Sequence, residues 1–170
     1  MKIFTKLPPA TFESNGLVFR PFNDTDADFL LSLAINEPVK RFVPWAKRIH
    51  DIESAKTMIQ DFNQSYVSKI RVRYVIGIDG NTIAYAGLWP DSEDDFYEYG
   101  FAVSPHNRGH GYGGLIVDGL INMTKTTLRA KGLIAHIHDE NTSSKKCVIR
   151  AGFNPTNVFS DVERRYELVF

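Results

Sequence analysis

Ser104–Pro105–His106–Asn107–Arg108–Gly109–His110–Gly111–Tyr112–Gly113–Gly114 sets four glycines among its last six residues, between two runs of different period. Before it, Tyr99, Phe101 and Val103 alternate as in a strand. After it, Ile116, Leu120 and Met123 recur as on one face of a helix. Glycines at a strand-to-helix junction let the backbone come close to a ligand. Its N–H groups can converge on an anion, and the helix start adds partial positive charge. The form Arg108-x-x-Gly111-x-Gly113 is too short for a dinucleotide fingerprint and lacks the Gly-Lys-Ser/Thr end of a P-loop. Two readings stand: a pyrophosphate cradle, or a turn that only starts the helix.

Composition narrows the class. The 170 residues fit one domain, and 43% hydrophobic content is enough for a substantial core. Lys+Arg and Asp+Glu balance at 20 each, so no nucleic-acid footprint is expected. The single cysteine, Cys147, excludes an internal disulfide and fits a reducing cytoplasm. Met1–Lys6 has no long apolar run, and no stretch approaches the roughly 18 apolar residues of a membrane span. The expectation is a soluble, cytoplasmic protein with no membrane partner. Nothing in the sequence separates a monomer from a homodimer.

Outward from the glycines, the pattern predicts an α+β order of β-α-α-β-β-β-α-β-α-β-β. Leu17–Arg20 reads as a short strand, and Asn23 or Asp24 caps a helix through Ile35 that Pro38 ends. Arg41–Trp45 is an aromatic connection, and a second helix starts near Asp51. Ile70–Ile78 and Thr82–Trp89 form a hairpin around Asp79–Gly80–Asn81. Pro90–Asp95 is an acidic turn, Phe96–Val103 a strand, and Gly111 to about Lys131 a helix with Gly132 as its C-cap. Leu133–His138 is the next strand, Thr142–Ala151 a helix, and residues 153–159 and 164–170 a final strand pair. Strand 96–103, its crossover helix and strand 133–138 form one parallel unit.

Arg108-x-x-Gly111-x-Gly113 on a strand–loop–helix resembles the acyl-CoA motif of the GNAT N-acetyltransferases. Asn141–Thr142–Ser143–Ser144 followed by Arg150–Ala151–Gly152–Phe153 is similar to that family's Asn-x-x-Ser…Gly-Phe segment. Leu17–Val18–Phe19–Arg20–Pro21 with Asp26, and Glu98–Tyr99–Gly100–Phe101, look like segments of its ribosomal-protein N-terminal acetyltransferase branch. The resemblance implies residues 1–170 as one GNAT-like domain. Its mixed, mostly antiparallel sheet would carry helices on both faces and a V-shaped gap between two parallel strands. It also implies acetyl transfer from acetyl-CoA to a primary amine; His136-x-His138 could suggest a metal, but no further ligand is apparent in the sequence and none is expected. The acceptor would be a protein N-terminal α-amine, or else a small amine such as a polyamine, amino acid or antibiotic. A non-catalytic acyl-CoA-binding module is the remaining alternative.

The resemblance assigns the pyrophosphate to the amides of Gly109, His110, Gly111, Tyr112, Gly113 and Gly114, with Arg108 adding charge. It assigns the pantetheine arm to the backbone edge at Phe101, Ala102 and Val103, while Asn141 contacts that arm, caps its helix, or does both. Attack needs a neutral amine, hence a proton acceptor. Glu98 is the candidate base, against its reading as a partner of some basic neighbour. His136 and His138 compete for that role, or contact the substrate instead. Ser144 is the candidate donor to the departing sulfur, because Val148 stands where many relatives have tyrosine. The alternative is that Ser144 only satisfies its helix's first turn. Cys147 reads as a small buried apolar group rather than a nucleophile. Lys145, Lys146 and Arg150 form a solvated face from which one or two side chains can reach phosphates. Phe42 and Trp45 are wall or core. Glu13 or the turn 91–95 is placed to attract a cation, or is simply solvated.

Overall fold

A computed structural model describes residues 2–93, 95–158 and 160–170. Asp94 of the acidic turn and Phe159 of the predicted last strand pair lie outside the described residues. In chain order the strands and α-helices are β1 (Phe12–Ser14), β2 (Leu17–Arg20), α1 (Ala27–Ala34), α2 (Glu37–Phe42), α3 (Ile52–Val67), β3 (Val72–Ile78), β4 (Asn81–Pro90), β5 (Phe96–Val103), α4 (Tyr112–Met123), β6 (Gly132–His138), α5 (Thr142–Arg150), β7 (Asn154–Val158) and β8 (Glu163–Val169). Among the described residues eight strands join in one mixed sheet, ordered β1-β2-β3-β4-β5-β6-β8-β7, antiparallel except at β5–β6.

Local chemistry explains most element ends. Asn23 caps a 3-10 turn ahead of α1, and Asp26 returns the bond by accepting from the Asn23 N–H at 2.8 Å. Asp26 also takes a bidentate bond from Arg20 at 2.8 Å per arm, which pins β2 to this turn. Asp51 and Ser54 make the equivalent box for α3. Asp79 and Gly80 both have positive φ, as a two-residue hairpin requires.

Three expectations need correction. Pro38 does not simply end a helix. It sits in the first turn of α2, where its missing N–H costs nothing. The aromatic connection is therefore the end of α2 followed by a 3-10 turn, Pro44–Arg48. Gly132 is not a C-cap either. A π-helical turn (Thr124–Leu128) follows α4, and Arg129, at φ 56°, is its left-handed cap. Gly132 opens β6, where a Cβ would lie 2.4 Å from the Leu168 carbonyl oxygen and 2.5 Å from the Phe96 ring. Close packing, not turn geometry, requires glycine there. Finally, Phe12–Ser14 adds a strand beyond the predicted order.

The sheet separates two cores. On one face Tyr74, Ile76, Leu88 and Tyr97 pack with Ile116 and Leu120 of α4 and Val148 of α5. On the other, Val75, Tyr85 and Ala102 pack with Leu30 of α1 and Met58, Ile59 and Phe62 of α3. Among the described residues no helix is long and apolar enough to cross a membrane.

Candidate active site

β5 and β6 pair only at Phe96–Gly132, Tyr97–Leu133 and Glu98–Ile134. Beyond Glu98 the two strands separate, while β5 stays paired with β4 as far as Val103. The edge of β5 from Tyr99 to Val103 is thus open toward β6. Its hydrogen-bonding groups face a gap that runs from Glu98 toward the glycine loop.

At the wide end of the gap, α4 begins at Tyr112 with Gly111 as its N-cap. Gly109 and Gly111 have φ of +81° and +82°. Left-handed backbone at both positions turns the chain tightly into the helix, and a side chain there would be strained. Gly113 lies under the Phe101 ring, 3.2 Å from where a Cβ would stand, and Gly114 faces the Arg150 guanidinium at 3.3 Å. These are close approaches that fit a cradle for a phosphate group. One amide must be removed from the expected donor set: the Gly114 N–H donates to the Gly111 carbonyl at 3.0 Å and closes the first turn. Arg108 turns partly inward. Its Nε donates to the Val103 carbonyl at 3.2 Å and its Nη2 to Asn36 Oδ1 at 2.9 Å. His110 and Tyr112 stack at 5.9 Å.

At the narrow end, Glu98 Oε2 accepts from Trp89 Nε1 at 2.8 Å, and Glu98 Oε1 meets His136 Nδ1 at 2.9 Å. A carboxylate only accepts, so Nδ1 is the donor and the His136 tautomer is fixed. The two competing readings of Glu98 and His136 thus merge into one hydrogen-bonded unit. His138 is separate. Its Nδ1 accepts from the Glu140 N–H at 3.2 Å, so the neutral ring carries its proton on Nε2 and presents a donor there. Phe42 packs against His138 at 5.3 Å, and Arg41 ion-pairs with Glu140, so α2 reaches across the gap to the far strand.

α5 lines the gap from the other side. Asn141 caps the helix by accepting from the Ser144 N–H at 3.2 Å, and both side chains also face the cavity. Cys147 is half-buried rather than buried, with its Sγ 3.8 Å from the Cβ position of Gly113. Burial pushes its thiol pKa up, which Arg150 only partly offsets, so the thiol stays protonated at neutral pH and makes a poor nucleophile. Lys145 lies 3.9 Å from Asp139, and of the three basic residues only Arg150 is seen against the glycine loop.

A cavity of about 930 Å³ joins these parts, passing from Tyr99, Ala135, Ser144 and Val148 in the gap to Trp45 and Glu98 on the other face of the sheet. Trp45 is both wall and core, edge-on to Tyr85 at 4.9 Å and to Phe62 at 5.8 Å. Among the described residues, Glu13, Asp91, Glu93 and Asp95 are not in the cavity wall. Asp91 and Glu93 pair with Arg165, and Asp95 with Lys131. Among the described residues, Trp45 Nε1, Arg73 Nε and Tyr99 Oη are buried without a hydrogen-bond partner, and all three side chains line this cavity. Unsatisfied buried donors are rare in native proteins. No motif contains Arg73, and the segment Glu98–Tyr99–Gly100–Phe101 contains Tyr99 without singling out its hydroxyl. The only signal in sequence is a charged or hydroxyl side chain at an inward position of a strand.

The family model for the GNAT acetyltransferase domain matches residues 16–154. The chain belongs to the GNAT acetyltransferase family. It is therefore an acetyltransferase by family, and its mixed sheet with one parallel pair is that family's fold. No curated protein matches it in sequence. Among solved structures, the ribosomal-protein α-N-acetyltransferase RimL with coenzyme A superposes at TM-score 0.81 and 12% identity, over 99% of this chain and 98% of that one. RimJ of Mycobacterium smegmatis, also with a CoA disulfide, superposes at 0.79 and 15%, over 99% and 90%. Spermidine N-acetyltransferase of Vibrio cholerae, with CoA and spermine, does so at 0.78 and 14%, over 91% and 95%. At these identities the likeness is one of fold.

Proposed function

We propose that this protein transfers the acetyl group of acetyl-CoA to a primary amine, with both substrates bound at once and no covalent enzyme intermediate. The observation that carries the reading is the open edge of β5, which runs from the Glu98–His136 pair to the glycine turn at the start of α4. Residues 1–170 act in this reading as one acetyltransferase domain. RimL and the spermidine enzyme, named for protein α-amines and a polyamine, bracket the acceptor classes the fold serves.

Acetyl-CoA supplies an activated acyl group as a thioester. The remaining roles fall to side chains and amides of this chain. The amides of Gly109, His110, Gly111, Tyr112 and Gly113 hold the pyrophosphate, with Arg108 and Arg150 adding charge. The backbone at Phe101, Ala102 and Val103 pairs with the pantetheine arm, and an N–H there polarises the acetyl carbonyl. Glu98 takes the proton of the attacking amine through a water. Its two hydrogen bonds leave lone-pair capacity on both oxygens, and His136 and Trp89 fix its position. As the new C–N bond forms and the C–S bond breaks, Ser144 donates to the leaving sulfur. The Tyr99 hydroxyl, in the same wall and with burial holding its pKa well above the ordinary value, is a second donor.

Thiol release on mixing with acetyl-CoA and a panel of amines and peptide N-termini tests the reading, with calorimetry for acetyl-CoA alone. The expected result is turnover with intersecting double-reciprocal lines, retained in Cys147→Ala. Tight acetyl-CoA binding without turnover of any amine would leave a binding module instead.

A further inference from the structure

We propose that the amine acetylated by this protein carries an anionic group, a carboxylate or a phosphate, that seats against Arg71 and Arg73. The inference rests on the acetyl-transfer reading above and narrows its acceptor.

Arg71, Arg73 and Trp89 share one wall of the cavity. The Arg71 guanidinium lies 4.9 Å from the Trp89 ring centroid, and that of Arg73 lies 5.4 Å from Trp89 and 5.3 Å from Phe62. Two like charges are therefore held on a single indole. Among the described residues neither has a carboxylate partner, whereas the neighbouring Arg48 is neutralised by Asp61 at 3.1 Å. Glu98, the acid nearest the transfer point, is already bonded to Trp89 and His136. The unsatisfied Arg73 Nε and Trp45 Nε1 add two donors around Phe62 and Tyr85. Arg73 has neutral acceptors in the Val72 carbonyl, 3.4 Å from its Nη1, and the adjacent Tyr85 hydroxyl, so what this wall lacks is an anion to balance its charge.

The sheet places this charge at a defined distance from the chemistry. Arg73 faces Gly87 on β4, and Gly87 faces Gly100 on β5. The two glycines put no side chains of their own in that row, and the Tyr85 hydroxyl fills the space over Gly87 and the Trp89 ring that over Gly100. Arg73 lies across the same row, with Cδ 3.2 Å and Nη1 3.3 Å from where a Gly87 Cβ would stand. Its guanidinium therefore ends about one strand spacing, roughly 5 Å, short of Gly100. An anion seated there is a few bonds from an amine at Glu98. A free acidic amino acid and a peptide whose first residues are acidic share this chemistry. A polyamine would bring further positive charge to two guanidiniums that have none of their own balanced.

The test measures kcat/KM by thiol release for L-glutamate, a peptide beginning Ser-Asp-Glu, its Ser-Asn-Gln counterpart and spermidine. The acidic acceptors should exceed the neutral peptide and spermidine by at least tenfold. The faster of L-glutamate and the acidic peptide identifies which source is used. Arg71→Gln, at an exposed position, and Arg73→Gln should each reduce the preference for acidic over neutral peptide by tenfold. A second arm needs no turnover: calorimetry with N-acetyl-L-glutamate on the CoA-loaded protein. Wild type should bind at least tenfold more tightly than either variant. Binding lost in the variants while no amine is acetylated would sink the transfer reading and leave the anion site standing. Spermidine or the neutral peptide turned over as fast as the acidic acceptors, or N-acetyl-L-glutamate binding unchanged in both variants, overturns the inference.

Discussion

Tyr99→Phe should make this protein more stable and less active. The Tyr99 hydroxyl is buried without a hydrogen-bond partner, and its ring is held between Phe153 at 5.7 Å and Phe101 at 6.5 Å. Deleting an unsatisfied buried polar group recovers a penalty of about 1–3 kcal/mol. The missing oxygen leaves a hole of about 15 Å³, which costs about 0.4 kcal/mol at about 24 cal/mol per Å³. The net gain is about 0.6–2.6 kcal/mol, or about 1–10 °C in Tm for a chain of this size. Thermal melting of the ligand-free protein reads this directly. If the hydroxyl also serves the leaving sulfur, turnover falls at least tenfold in the same variant while acetyl-CoA affinity changes little. A fall in Tm of a few degrees would refute the reasoning, because it would mean that the hydroxyl has a partner whose loss is felt.

Three further outcomes follow from the geometry. Glu98→Gln removes the proton acceptor and should lower kcat by about 10²–10⁴ with acetyl-CoA affinity retained. Turnover within threefold of wild type would end that assignment. Gly132→Ala forces a Cβ to within 2.4 Å of a backbone oxygen, so it should destabilise by about 1–3 kcal/mol in denaturant titration. Because burial raises the Cys147 thiol pKa, the thiolate fraction at pH 7 is below that of a free thiol. Alkylation by iodoacetamide should then lag behind glutathione at pH 7 and accelerate only above the ordinary thiol value of about 8.5. Equal rates at pH 7 would contradict it.

Much of the cofactor side is local in sequence and was legible there. Glycines at a period change, the Asp79–Gly80 turn and the Asn141 cap are each decided within a few residues. The acceptor side depends on which residues of distant strands share one face. Arg73 reads as an ordinary charge in an alternating strand until the ladder sets it opposite Gly87 and beneath Phe62 of α3. Trp89 reads as the last apolar residue of a hairpin arm until Glu98 is found across from it. Pro38 and Gly132 each have two common structural uses: Pro38 starts a helix as readily as it ends one, and Gly132 is required by packing against Phe96 and Leu168 rather than by a helix cap. Likewise, no residue marks the point where β5 leaves β6.

The three-residue contact between β5 and β6 has a mechanical consequence. It is a short stitch in the middle of an eight-stranded fabric, and β6, β8 and β7 hang from it as a separate panel. A ligand that pairs along the open edge of β5 sews that seam further. Occupancy and the stiffness of the sheet then become one quantity, and slowed amide exchange in β7, outside the cavity wall, would report on both.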